Sequence, residues 1–369
     1  MKESKMPQFP ALPSPFMLAE GTTVVRAEGA LTPVSEADAL SLAQRRGSVV
    51  VGLIPFDPDA PAQLAVPDGW VRENIPLPTA DTVDQPAPTL VEGIDSDVYR
   101  AAVAHAVELM NRGQLDKVVL ARLLRVQYEQ ELNLPHLFDT LRAQQQRATV
   151  FSAQLPNGNY LMGASPELVF QTEGSTFRTV PLAGSAARTA APGSTDDAQI
   201  GEALMRSAKD RAEHATVVND IRQRLEALTV QMDVPAVPSL ISTPQLWHLS
   251  TPVTGQLLPG VSSLQAARAI HPTPAICGTP TEVARGLIEE LEPFDRGFFG
   301  GLVGYMDAHG QGSWYLVLRC AEVAPLQATL FAGAGIVKDS TPAGEHSETA
   351  TKLGTFARAL GLNLGSLEL

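Results

Sequence analysis

The feature that most constrains the fold is an irregular alternation. Apolar strand-like segments and amphipathic helical segments follow one another without the steady β-α-β rhythm of a parallel, doubly wound sheet. The valine-rich segment 49–54 ends at the turn Pro55-Phe56-Asp57-Pro58 and reads as a buried strand. Residues 117–124 read as another, and 149–155 with 159–164 as a hairpin around Pro156-Asn157-Gly158. The last third adds strands at 300–306, 314–323 and 328–337 and a closing helix at 344–360. Three- and four-residue apolar spacing predicts helices over 98–110, closed by Gly113, and over 196–230. Thr279-Pro280-Thr281-Glu282 predicts an N-cap, a proline at the first helical position and a capping-box glutamate for a helix reaching Leu291. Residues 76–93, polar and proline-rich, read as an exposed connection. The implied class is α+β, with large antiparallel sheets and helices packed outside. A loosely held tail over 1–15, with four prolines, precedes a single domain over 16–369, since no linker divides the hairpin from the later strands.

With 44% hydrophobic residues, the 369-residue chain has enough apolar content for a substantial core. Its net charge of −13 and lack of a basic stripe exclude nucleic acid as a partner. An anionic ligand would have to be met locally, by arginine, lysine, a helix N-terminus or a metal ion. Cys277 and Cys320 lack metal-ligand spacing and read as free, buried thiols. No charged n-region leads into an apolar run, and no apolar stretch reaches membrane length, so a reduced, cytoplasmic protein off the membrane is expected.

Charge nevertheless gathers in apolar surroundings. In Lys209-Asp210-Arg211-Ala212-Glu213-His214, Asp210 and Glu213 are three apart and share a helix face, beside the small Ala208, Ala212 and Ala215. Glu345 and Glu348 repeat that spacing at the start of the last helix, with Lys352 four beyond Glu348. Each set reads either as a solvated face with internal ion pairs or as part of an oxygen-lined Mg²⁺ site. The preceding strand, Phe331-Ala332-Gly333-Ala334-Gly335-Ile336-Val337, carries the small residues that mark close approach of a ligand. Arg319 lies inside an apolar strand and must pair with a carboxylate of the protein or of a ligand. Lys117, alternating with Val119 and Ala121, either snorkels at a strand edge or acts as a base in a desolvated pocket. Glu167 in Ser165-Pro166-Glu167 is either a solvated turn carboxylate or a carboxyl held protonated as an acid.

In order along the chain stand Lys117-Val118-Val119-Leu120-Ala121-Arg122, Ala164-Ser165-Pro166-Glu167, Pro181-Leu182-Ala183-Gly184-Ser185-Ala186 and the Lys209–His214 run. They are followed by Leu246-Trp247-His248, His271-Pro272-Thr273-Pro274-Ala275, Glu292-Pro293-Phe294-Asp295-Arg296, Arg319-Cys320-Ala321, the Phe331 strand and Glu348-Thr349. Together, over residues 53–360, they resemble the chorismate-utilising enzymes, and within them the isochorismate synthases. The resemblance implies that family's fold and an isomerase that binds chorismate with Mg²⁺. Lys117 is then similar to the general base that activates water for attack at carbon 2, and Glu167 to the acid that protonates the hydroxyl leaving carbon 4. Glu213 and Glu348 resemble the direct Mg²⁺ ligands, with Asp210 and Glu345 as outer carboxylates. Arg319 and the Gly333 backbone resemble the clamp for the enolpyruvyl carboxylate. Ser185 and Lys352 assist at the ring carboxylate, and His248, Thr273, Ala275 and Phe331 line the pocket. Chorismate is thus the expected partner, taken up by a monomer.

Other family members make salicylate, anthranilate or aminodeoxychorismate. Salicylate formers carry Thr-Arg after the Pro-Leu-Ala-Gly stretch, where this chain has Ser185-Ala186. Val51 to Pro58 and the compact length resemble siderophore-pathway more than menaquinone-pathway isochorismate synthases. Two departures stand out: Ala212 replaces a bulkier polar residue, and the connection 76–95 is short. A catalytically silent chorismate-binding subunit would be expected to lack the base or the acid, and both are present.

Overall fold

The computed structural model describes residues 12, 14–79, 84–94, 96–243 and 246–364. Most of its strands join one continuous antiparallel ladder. Lys117–Tyr128 pairs with Gln327–Ile336, followed by Cys320–Ala324, Tyr160–Ser165, Thr149–Gln154 and Phe16–Glu20. The ladder continues through Thr23–Val34, Gln63–Asn74, Val49–Ile54, Leu302–Asp307, Gly312–Leu316 and Leu168–Glu173. Thr176–Thr179, Val253–Leu257 and Thr229–Asp233 complete it. Leu182–Ala187, Leu246–Ser250 and Ser239–Ser242 form a separate three-stranded sheet.

The long sheet folds back on itself. Phe16, Leu53, Phe151, Val303 and Tyr315, from strands far apart in the ladder, share one buried cluster. Helices cover the outer faces, Ser96–Asn111, Ala208–Leu225 and Thr281–Leu291 over one core, Leu134–Gln144 and Pro342–Ala359 over another. This is the expected α+β class with antiparallel sheets inside.

Several elements differ from the sequence reading, each for a local reason. The helix expected over 196–230 is two, Thr195–Arg206 and Ala208–Leu225, because Ser207 turns to an extended ψ of 113°. Its hydroxyl caps the second helix by accepting from Asp210 N–H. Asp210 therefore stands in a first helical turn, where the helix dipole favours an anion. The capping box at 279–282 does not form, since Pro280 itself is the N-cap and offers no side-chain bond. The strand expected over 314–323 is interrupted at Arg319, whose φ of 50° lies in the left-handed region. Within the connection expected over 76–93, Pro88–Ile94 is a strand on the outer edge of Lys117–Tyr128. Residues 80–83 and Asp95 lie outside the described residues. So do 1–11 and 13 of the expected tail, while Ser14 is buried with Oγ 2.6 Å from the Phe16 carbonyl. Among the described residues no helix is long and apolar enough to cross a membrane.

Candidate active site

Thirteen of the fourteen expected site residues line one cavity, where the two sheets, the Ala208–Leu225 helix and the Pro342–Ala359 helix meet. The base and acid candidates arrive from different parts of the ladder. Lys117 opens its strand, with Val119 beside it on the cavity wall. Gly335, paired with Val119, leaves room for it, since a Cβ there would stand 3.0 Å from Lys117 Cε. Glu167 sits in the tight connection between Tyr160–Ser165 and Leu168–Glu173. It is buried rather than solvated. Burial pushes its carboxyl up to about 7, against the opposing pull of the Leu182 N–H and the charges of Arg319 and Lys117.

The four expected carboxylates face the same space from two helices. Lys117 Nζ is 2.6 Å from Glu213 Oε1, and Lys352 Nζ is 2.7 Å from Glu348 Oε1 and 2.9 Å from the Gly333 carbonyl. Lys352 beside Glu348 holds that carboxyl below its ordinary range, whereas burial raises Glu345. Glu345 Oε2 is buried with no hydrogen-bond partner among the described residues. Asp210 packs at the left-handed Gly184 (φ 77°), where a Cβ would meet the Asp210 Cβ at 3.1 Å. Among the described residues no three His, Cys, Asp or Glu side chains converge closely enough to enclose a metal ion by themselves. The alanines expected to admit a ligand, Ala208, Ala212 and Ala215, instead face solvent, because the break at Ser207 sets the inward face along Asp210, Glu213, His214 and Val217.

Opposite the carboxylates stands Arg319. Its guanidinium makes no hydrogen bond or ion pair among the described residues and feels Glu348 and Glu167 only at a distance. An arginine held this way is a standing demand for an anion. His248 lies beside it, its Nδ1 2.7 Å from Ser185 Oγ across paired strands. Burial, with Arg319 and Lys352 nearby, drops its pKa to about 3, so the ring is neutral. Phe331 stacks on Phe299 at 5.4 Å between centroids and forms an apolar wall, with Ala275 also lining the cavity. Thr273 is the exception. It is buried behind the wall, its carbonyl accepting from Ile276 and Cys277 N–H, and its hydroxyl does not reach the cavity. Both cysteines are free and buried, and burial pushes the Cys277 thiol up to about 11.

The sequence assigned no role to Glu292 and Arg296, although their i, i+4 spacing permitted an ion pair. The structure gives them one. Between the edge strands Pro88–Ile94 and Gly278–Thr279 the Lys117 strand lacks a neighbour. Glu292 Oε1 accepts from Ala121 N–H at 2.7 Å, and Arg296 Nη2 donates to the Val119 carbonyl at 2.6 Å and Nη1 to Ile276 O at 3.2 Å. The buried pair replaces a strand, meeting the backbone groups that would otherwise be orphaned.

Residues 69–361 match the family model described as chorismate binding enzyme. The chain is 39% identical over 324 residues to isochorismate synthase EntC of Escherichia coli (strain K12), covering 86% of this chain and 82% of that one. It is 38% identical over 321 residues to the vibriobactin-specific isochorismate synthase of Vibrio cholerae serotype O1, covering 86% and 81%. The crystal structure of DhbC from Bacillus anthracis superimposes with a TM-score of 0.88 at 36% identity, over 95% of this chain and 97% of that one. Fold, site composition and relatives agree: the chain belongs to the chorismate-binding enzymes and, within them, to the isochorismate synthases.

Proposed function

We propose that this chain isomerises chorismate to isochorismate, with Lys117 as general base and Glu167 as general acid. Lys117 takes a proton from the water that attacks carbon 2. The ring double bonds shift, and Glu167 gives its proton to the hydroxyl leaving carbon 4, so one water enters and one departs. A lysine acts as a base only as the free amine, so turnover requires the Lys117–Glu213 pair to part. Glu167 meets the complementary requirement, since a carboxyl with a pKa of about 7 is still substantially protonated at neutral pH. Arg319 takes the enolpyruvyl carboxylate together with the Gly333 backbone, and Ser185 and Lys352 serve the ring carboxylate. His248, Ala275 and Phe331 shape the pocket around the ring.

The all-oxygen donor set of Glu213 and Glu348, with Asp210 and Glu345 behind them, fits Mg²⁺, which is commonly held by one or two carboxylates plus water and substrate oxygens. The unpartnered Glu345 Oε2 fits the same purpose. When bound, the ion supplies positive charge that offsets the carboxylates of protein and substrate. What supports the whole reading most is one juxtaposition: a raised carboxyl, a lysine and an unpaired arginine around a single cavity. The Val51–Pro58 segment, the vibriobactin-specific relative and the 2,3-dihydroxybenzoate-specific structural neighbour favour supply of 2,3-dihydroxybenzoate to a catechol siderophore.

The test is incubation with chorismate, with Mg²⁺ or with EDTA, followed by product chromatography. Isochorismate formed only with Mg²⁺ is expected. Salicylate with pyruvate would replace the reading by a two-step enzyme, and unchanged chorismate would refute it. Growth of a mutant lacking its siderophore-pathway isochorismate synthase, under iron limitation, tests the pathway.

A further inference from the structure

Arg122 lies on the strand that carries Lys117 but, by the alternation of side chains, on the opposite face. It is 2% exposed, and no carboxylate pairs with it among the described residues. Nε donates to Thr349 Oγ1 at 2.8 Å, Nη2 reaches the His346 carbonyl at 3.4 Å, and Nη1 has no partner. Thr349 Oγ1 in turn donates to that same His346 carbonyl at 2.8 Å. The guanidinium therefore grips positions 346 and 349 of the Pro342–Ala359 helix, in the turn that carries Glu345 and Glu348.

Packing alone does not account for this choice. Burying a cation without a counter-ion is costly, and an apolar side chain of similar volume would join strand to helix at least as well. What an apolar contact would not fix is the rotation of the helix about its axis. A rotation of about 20° moves a carboxylate carried roughly 6 Å from that axis by about 2 Å, as far as a whole Mg–oxygen bond of about 2.1 Å.

We propose that Arg122 is a positioning residue for the cation site, locking the rotation of the Pro342–Ala359 helix so that Glu345 and Glu348 face the cavity. This rests on reading those carboxylates as Mg²⁺ ligands. Groups that orient metal ligands typically contribute 10- to 100-fold in metal affinity when removed.

The experiment compares the full-length wild type with Arg122→Met, Arg122→Lys, Thr349→Val and Glu348→Gln. Mg²⁺ affinity is measured by isothermal titration calorimetry, turnover as a function of Mg²⁺, and stability by thermal melting. Thr349→Val removes the acceptor without changing side-chain shape, and so stands in if Arg122→Met does not fold. Arg122→Met and Thr349→Val are expected to bind Mg²⁺ about 10-fold more weakly and to regain kcat at saturating Mg²⁺. Arg122→Met should melt close to wild type, whereas Thr349→Val, which strips the buried Arg122 Nε of its acceptor, should melt lower. Arg122→Lys should fall between. Wild-type Mg²⁺ affinity in the Arg122 and Thr349 variants, with affinity lost in Glu348→Gln, would overturn the positioning role alone. Wild-type affinity in Glu348→Gln as well would overturn the ligand reading and this proposal together.

Discussion

Lys117 Nζ lies 2.6 Å from Glu213 Oε1, a contact between residues 96 apart in sequence that joins the opening of a long strand near the ladder's end to the face of a helix. Base candidate and cation-ligand candidate thus neutralise each other. Lys117→Ala is expected to lower kcat by about 10²- to 10⁴-fold, the usual contribution of a general base, while chorismate binding by calorimetry persists. Retained turnover would remove Lys117 from the chemistry.

Glu213→Gln keeps the shape of the side chain but removes its charge. Mg²⁺ should then activate only at concentrations at least about 10-fold higher. An unchanged Mg²⁺ response would exclude Glu213 as a ligand.

Glu167 sets a pH dependence in two observables. As an acid it must be protonated, so kcat/KM should fall about tenfold per pH unit above its pKa of about 7. For stability, the folded pKa of about 7 is raised above the ordinary 4.5. Its contribution is therefore fully present below pH 4.5 and is lost as pH rises through 7. Glu167→Gln cannot ionise, and urea unfolding should find it more stable than wild type by about 3 kcal/mol at pH 8, with little difference at pH 4. A flat difference across that range would contradict the buried acid.

Arg319 has no protein counter-ion to lose. Arg319→Met should weaken chorismate binding by about 10- to 100-fold, the value of a charge-assisted pair of about 1.5–3 kcal/mol, without lowering the melting temperature. Destabilisation without loss of binding would mark it as structural.

Glu292 behaves in the opposite way, because Arg296 and Ala121 N–H both depend on it. Glu292→Ala leaves a buried cation unpaired and should cost about 3–5 kcal/mol in denaturant unfolding. A loss below about 1 kcal/mol would show that the strand edge is satisfied in another way.

The strongly periodic elements were legible in sequence: the strand at Val49–Ile54, the hairpin 149–165, and the helix before Gly113, whose left-handed φ of 73° ends it as a glycine should. Carboxylate spacing singled out Asp210, Glu213, Glu345 and Glu348, which line one cavity. What escaped was of two kinds, local backbone breaks that the residue types do not announce and contacts distant in sequence. Ser207 broke a helix whose apolar period ran straight through it, because its hydroxyl found Asp210 N–H. Arg319 lay in an unbroken apolar run, and nothing in the residue types announced a left-handed backbone there. Pro88–Ile94 was disguised by Pro88 and the prolines that precede it, and an edge position tolerates a proline. The burial of Glu167 was invisible because it arises from segments distant in sequence, around Lys117, Leu182 and Leu316 to Arg319.

The ladder also orders events during synthesis. Val49–Ile54 has one neighbour close at hand, Gln63–Asn74, but its other neighbour is Leu302–Asp307. At about 5–20 residues per second, roughly 250 further residues take about 12 to 50 s to leave the ribosome. Throughout that interval an entirely apolar strand keeps an open edge, the kind of edge on which nascent chains aggregate. Shielding that edge during synthesis is thus a requirement separate from the stability of the finished enzyme.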